Sequence, residues 1–236
     1  MHNFWHFGDS YSMNDFSLET KRNGFQARIQ IKNFGHIISK KLNRNYKFAG
    51  VTGFCNEQIF QKILGHTNRF KKGDIIFINW SYFTRGSYIN KKGDIHSTNC
   101  WFDENMPGMT TDGLSEVQNY ENYNFIMDYI LNYNYDFNTK LFKGNVIPYF
   151  DNLIKKGITI YNLFINENEK LKFGKELHKF KIHKKMGYNI KFNEGYVNWL
   201  KNLELHGEEE GHYSSDKQEF IAEEIHKRMK LSRSLI

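Results

Sequence analysis

Asp74-Ile75-Ile76-Phe77-Ile78-Asn79 decides how the rest of the sequence is read. Unbroken apolar residues between two polar ends leave no face for water. Such a run fits a strand covered on both sides, as in the parallel sheet of an α/β protein. Upstream, the aromatic run at 4–7 stops at Gly8-Asp9-Ser10 and predicts a first strand ending in a turn. Phe34, Ile37, Ile38 and Leu42 recur at helical spacing, which predicts a helix within 24–42. Residues 46–49 form a second expected strand, closed by Gly50-Val51-Thr52-Gly53, and Ile59, Phe60, Ile63 and Leu64 mark a second helix.

Downstream, 85–113 is rich in Gly, Pro, Asn and Asp, so an irregular insertion or lid is expected across 85–116. Residues 117–142 are expected to be helical in part, 146–156 a helix and 158–164 a fourth strand, while 165–205 resist assignment. The last helix is expected after Ser214, with Ser215 and Gln218 as an S-x-x-Q capping box and Ile221, Ile225 and Met229 as its apolar stripe. Strands alternating with helices imply an α/β fold: a three-layer α/β/α sandwich with a mostly parallel sheet, one domain over 1–236. Active sites in such sheets lie at the carboxyl ends of the strands.

Composition narrows the class. At 236 residues with 39% hydrophobic side chains, the chain is long enough to bury a sizeable core. The 17% aromatic share puts large rings in that core. The formal charge of +7 comes from lysines scattered in short pairs among Asn and Tyr. No stripe or nucleic-acid module accompanies them, so a solvated basic surface is the reading and no nucleic-acid partner is expected. Two cysteines, Cys55 and Cys100, make no disulfide framework and no CxxC pair. A bridge between them is neither required nor excluded. No apolar run is long enough to span a bilayer, and residues 1–5 lack the charged start and apolar stretch of a signal peptide. The expectation is a soluble protein, cytoplasmic or, if of phage origin, carried on a virion. The histidines show no ligand spacing and HExxH, Walker A and GxGxxG are absent, so neither metal nor cofactor is expected.

Four short blocks could carry chemistry. Ser10 follows the first strand on a turn that Gly8 permits, where backbone N–H groups can face a developing oxyanion. Gly53, after the second strand, has a backbone N–H that no side chain obstructs. Asn79 ends the third strand with a side-chain NH2 suited to an oxyanion hole, followed by Trp80 and Ser81. Glu208-Glu209-Glu210-Gly211-His212 precedes the last helix, so a carboxylate can curl back to hold the imidazole while the other ring nitrogen faces a serine. No G-x-S-x-G elbow occurs, which disfavours an ordinary α/β-hydrolase.

The order of these blocks resembles the SGNH, or GDSL-type, serine hydrolases, possessors of a flavodoxin-like sheet. That family has a GDS serine after strand one, a glycine after strand two, an asparagine after strand three and a D-x-x-H near the C-terminus. Here 212–225, His-Tyr-Ser-Ser-Asp-Lys-Gln-Glu-Phe-Ile-Ala-Glu-Glu-Ile, is similar to the family's ending and carries most of the likeness. The resemblance implies Ser10 as nucleophile and oxyanion donor, Gly53 and Asn79 as further donors, His212 as base and Glu209 in the register of the family's aspartate. Glu208 or Glu210 could take the place of Glu209. Asn79-Trp80-Ser81 departs from the usual G-x-N-D and looks like a variant of phage-type members, and Tyr213 replaces the usual proline. Trp80 and Arg85 are candidate substrate contacts, Arg85 also a candidate surface salt-bridge partner. The implied activity is hydrolysis of a carboxylic ester on an acylated small molecule or polysaccharide, with deacetylation of a polysaccharide as the leaning. The rival expectation is a non-catalytic carbohydrate-binding or virion module on the same fold.

Overall fold

The computed structural model describes residues 1–8, 33–50, 54–81, 83, 85–89, 95–98, 100–103, 106–109, 133, 135–165, 183–192, 196, 199–200 and 217–234, with the backbone alone at 87–109. Its centre is a five-stranded sheet. The strands are β1 (Asn3–Gly8), β2 (Asn45–Phe48), β3 (Ile75–Trp80), β8 (Thr159–Phe164) and β9 (Tyr188–Asn189). All neighbours are parallel, in the order β2-β1-β3-β8-β9. Counted along the sheet's own strands this is 2-1-3-4-5, the flavodoxin-like order, whose direction of winding reverses between β1 and β3.

The alternation of side chains along each strand builds two cores. Phe4, Ile75, Phe77, Tyr161 and Leu163 pack beneath α1 (Phe34–Lys41) and the last helix, whose Ile221, Ala222, Ile225 and Met229 fill the same cluster. Trp5, Phe7, Ile76, Ile78, Trp80 and Ile160 face the opposite layer, under α2 (Asn56–Gly65) and α3 (Ile147–Lys155). That final helix, α4 (Gln218–Arg233), follows β9. The chain is therefore an α/β/α sandwich with β3 buried along its whole length. Among the described residues no helix is long and apolar enough to cross a membrane.

The structure departs from expectation in several places. The stretch expected to be irregular holds two hairpins, β4 (Gly86–Ile89) with β5 (Ile95–Thr98) and β6 (Cys100–Asp103) with β7 (Met106–Met109). Among the described residues each is a two-stranded ribbon paired with itself. Both strands are edges, so Gly86, Pro107 and Gly108 are tolerated where a central strand would reject them. The region from 165 to 205 contributes the edge strand β9, two residues long and too short to leave a periodic signal. Finally, α4 starts at Gln218, with Lys217 at its N-cap, so Gln218 sits in the first helical position rather than the third. The expected capping box pairs Gln218 with Ser215, and Ser215 lies outside the described residues. Cys55 is buried as a thiol and makes no bridge to Cys100.

Candidate active site at the carboxyl edge

The winding reverses between β1 and β3, and open α/β sheets bind ligands at the carboxyl ends of the strands beside such a reversal. Gly8 and Asn79 are the cross-strand partners at that point. Asn79 lies in the same alternation as Ile75 and Phe77, on the side covered by α1 and α4. It is fully buried, and among the described residues neither its Nδ2 nor its Oδ1 has a hydrogen-bond partner. Ser81, one residue past the strand, is also buried, with an Oγ that no described residue meets. An unmet buried amide costs about 1–3 kcal/mol, so the carboxyl edge of β3 carries polar groups that stability alone does not explain.

The second strand's exit meets the first strand here. A Cβ on Gly50 would lie 3.0 Å from the Gly8 carbonyl oxygen and 2.6 Å from the Phe48 ring. Only a glycine lets the two exits come this close.

Behind the edge, α1 is held by a buried chain of hydrogen bonds. Asn33 caps the helix, its Oδ1 accepting from the His36 N–H at 2.9 Å. The Tyr46 hydroxyl donates to the same oxygen at 2.7 Å. With its proton so engaged, the Tyr46 oxygen must accept from His6 Nδ1, 3.1 Å away. His6 is thereby fixed as the Nδ1–H tautomer, and its Nε2 is buried with no partner among the described residues. The rings of Phe34, Phe48 and Phe77 surround it, and Gly35 passes so close that a Cβ there would overlap the imidazole. Burial lowers the His6 pKa to about 3 and raises that of Tyr46, against the pull of its bond to Asn33.

A buried neutral imidazole makes the fold sensitive to acid. The folded state holds His6 neutral, while the unfolded chain takes up a proton near the ordinary pKa of 6.5. The stabilisation is complete above that pH and is lost as pH falls toward 3, at ~1.4 kcal/mol per unit. Between pH 6.5 and pH 5, wild type should lose about 2 kcal/mol more of unfolding free energy than His6→Gln, measured by urea titration. Equal slopes for the two proteins would refute the assignment.

The structure places the remaining candidates unequally. Ser10, Gly53, Glu208, Glu209, Glu210 and His212 lie outside the described residues. Their described neighbours set the reach: Ser10 is two residues from Gly8, Gly53 three from Gly50 and His212 six from Gln218, or roughly 7, 10 and 20 Å of extended chain. Trp80 is a core residue. It is fully buried against Phe142, its indole N–H donating to Asn162 Oδ1 at 2.8 Å. The side facing α2 and α3 is not the side of Asn79, which removes the reason for reading Trp80 as a substrate contact. Arg85 is buried, not on the surface, and its Nη1 donates to the Phe54 carbonyl at 3.3 Å. Asn138 holds the same loop by donating to the carbonyls of Phe83 and Arg85. Arg85 therefore braces the chain directly after Gly53. The alternation in 4–8 and 75–79, which puts His6 and Gly8 on the side of Asn79, is the signal that could have revealed the His6 chain from sequence. Among the described residues no three His, Cys, Asp or Glu side chains converge as a metal would require.

No protein-family model matches the chain, and no curated protein matches it. Among solved structures it is similar to a carbohydrate esterase whose active site is described as having divergent catalytic and non-catalytic binding functions. That similarity has 11% identity and a TM-score of 0.47 over 97% of this chain and 68% of the other. It is also similar to the Bacillus subtilis protein YXIM, with 10% identity and a TM-score of 0.43 over 98% of this chain and 55% of that one.

Proposed function

We propose that the protein is a serine hydrolase of carboxylic esters, with its site at the carboxyl ends of β1, β2 and β3. The observation that carries this reading is Asn79, a fully buried amide with no partner among the described residues, beside the strand exit that leads in two residues to Ser10. In the proposed mechanism His212 takes the Ser10 proton and Ser10 attacks the acyl carbonyl. The N–H groups of Ser10 and Gly53 and the Asn79 amide hold the oxyanion. Glu209, or a neighbour in the same run, orients His212. The alcohol leaves with a proton from His212, and water clears the acyl-enzyme by the same route. Acetylated sugars are the first substrates to screen.

A serine-directed fluorophosphonate tests the chemistry without knowledge of the natural ester. Labelling should map to Ser10 by peptide mass spectrometry. Absence of labelling on folded protein would favour the non-catalytic module.

Asn79→Ala separates function from folding at the site itself. Loss of one oxyanion donor should slow ester turnover by about 10²–10³-fold. Because the amide has no described partner to lose, the melting temperature should stay within a few degrees of wild type. A large fall in melting temperature with turnover intact would make Asn79 a structural residue.

A further inference from the structure

Gln218 opens α4 and is 1% exposed. Its Oε1 accepts the backbone N–H of Phe34 at 2.7 Å, across 184 positions of sequence. Phe34 is the first residue of α1, directly after the Asn33 cap. The bond thus ties the first turn of α1 to the first turn of α4. Those two turns have a particular place in the chain. The segment that carries Ser10 leaves β1 at Gly8 and rejoins the described structure at Asn33. The segment that carries His212 ends where α4 begins.

The amide is poorly explained as a packing device. Its Nε2 is buried with no partner among the described residues, and an apolar side chain would fill the space without that unmet donor. Among the described residues its oxygen serves a distant helix rather than the N-terminus of its own. The Phe34 ring in turn lies 5.0 Å from that of His6, on the sheet side that carries Asn79.

We propose that Gln218 is a positioning residue for the hydrolysis reaction. It ties the start of the helix that follows the His212 segment to the start of the helix that follows the Ser10 segment, and through that tie it would hold base and nucleophile in register for the reaction. This rests on the serine-hydrolase reading above. The acceptor oxygen is the operative atom, which separates two substitutions of similar size. Gln218→Glu keeps an acceptor oxygen and removes the unmet donor, next to helix N-termini that favour an anion. Gln218→Met keeps the bulk and removes the acceptor.

The test combines ester kinetics, melting temperature and amide hydrogen exchange on the full chain. Gln218→Met should lower kcat at least tenfold with KM within twofold, and speed exchange at the Phe34 amide. Gln218→Glu should keep kcat within threefold of wild type. If Gln218→Met lowers the melting temperature but leaves kcat unchanged, the residue is structural and the proposal fails. If wild type hydrolyses no ester and takes no fluorophosphonate, the serine-hydrolase reading fails instead. Exchange then still decides the coupling: faster exchange across both 9–32 and 201–216 in Gln218→Met upholds it, and a change confined to the two first turns overturns it.

Discussion

Ser10→Ala and His212→Ala are each expected to lower p-nitrophenyl acetate hydrolysis by three or more orders of magnitude, and the double variant by little more than either alone. A serine hydroxyl is a weak nucleophile until a base removes its proton. Without the hydroxyl no acyl-enzyme forms, and without the imidazole the hydroxyl stays protonated. In the proposed mechanism the two residues act as one unit, so their losses should not add. Residual turnover should come from the oxyanion donors, which neither substitution removes. In sequence Ser10 follows a strand end and His212 precedes a helix, so the variants are expected to melt near wild type. Full activity in Ser10→Ala would sink the assignment. Additive losses would mean that serine and histidine serve different steps. In the same proposed mechanism Glu209→Gln should cost far less than either, because Glu208 and Glu210 stand beside it in sequence and could take its place.

The sequence was most informative where a residue's environment follows from its neighbours in the chain. The apolar run 74–79 identifies a strand covered on both sides, and β3 is buried throughout. Helices at 34–41, 56–65 and 147–155 follow from apolar spacing because each buries one stripe against the sheet. Legibility fails where partners are distant. Gln218 matches a local capping pattern, yet its oxygen serves a helix near the other end of the chain. Arg85 carries the mark of a surface cation, but the Phe54 carbonyl and the loop held by Asn138 take it inside. The hairpins between 86 and 109 escape notice for the opposite reason. Their strands are four residues long, too short for alternation to stand out from a loop. At the candidate site, the blocks that hold Ser10, Gly53 and His212 lie outside the described residues, which leaves Asn79. Its burial without a described partner was not legible in the sequence, because it depends on what the opposing layer fails to supply.

Asp74→Ala should cost roughly 3 kcal/mol or more of folding stability, because it strands several donors at about 1–3 kcal/mol each. Asp74 stands at the amino end of β3, fully buried. Its Oδ1 accepts the Asn3 backbone N–H at 2.8 Å. Its Oδ2 accepts the Trp5 indole N–H at 3.0 Å, the Lys71 backbone N–H at 3.1 Å and the Asn3 side chain at 3.3 Å. One carboxylate therefore fastens the start of β1, the turn into β3 and a core indole. Burial alone would push its pKa up, but the donors from Asn3, Trp5 and Lys71 hold it below the ordinary carboxylate value. Alanine would strand those donors in a closed space, whereas Asp74→Asn keeps one acceptor oxygen and should lose less. The depressed pKa also fixes the sign of the acid response. The carboxylate's contribution is present above the usual aspartate range and fades as pH falls through the folded-state value, so wild type and Asp74→Ala should converge in stability in strong acid. Urea unfolding at about pH 7 and about pH 3 measures both effects, and a loss under about 1 kcal/mol at neutral pH would refute the bond count. Because Asp74 sits at the amino edge and the candidate site at the carboxyl edge, any Asp74→Ala protein that stays folded should retain the proposed esterase activity per folded molecule. A fall in that rate would mean that the register of β1 on β3, and with it the pairing of Gly8 with Asn79, depends on this one carboxylate.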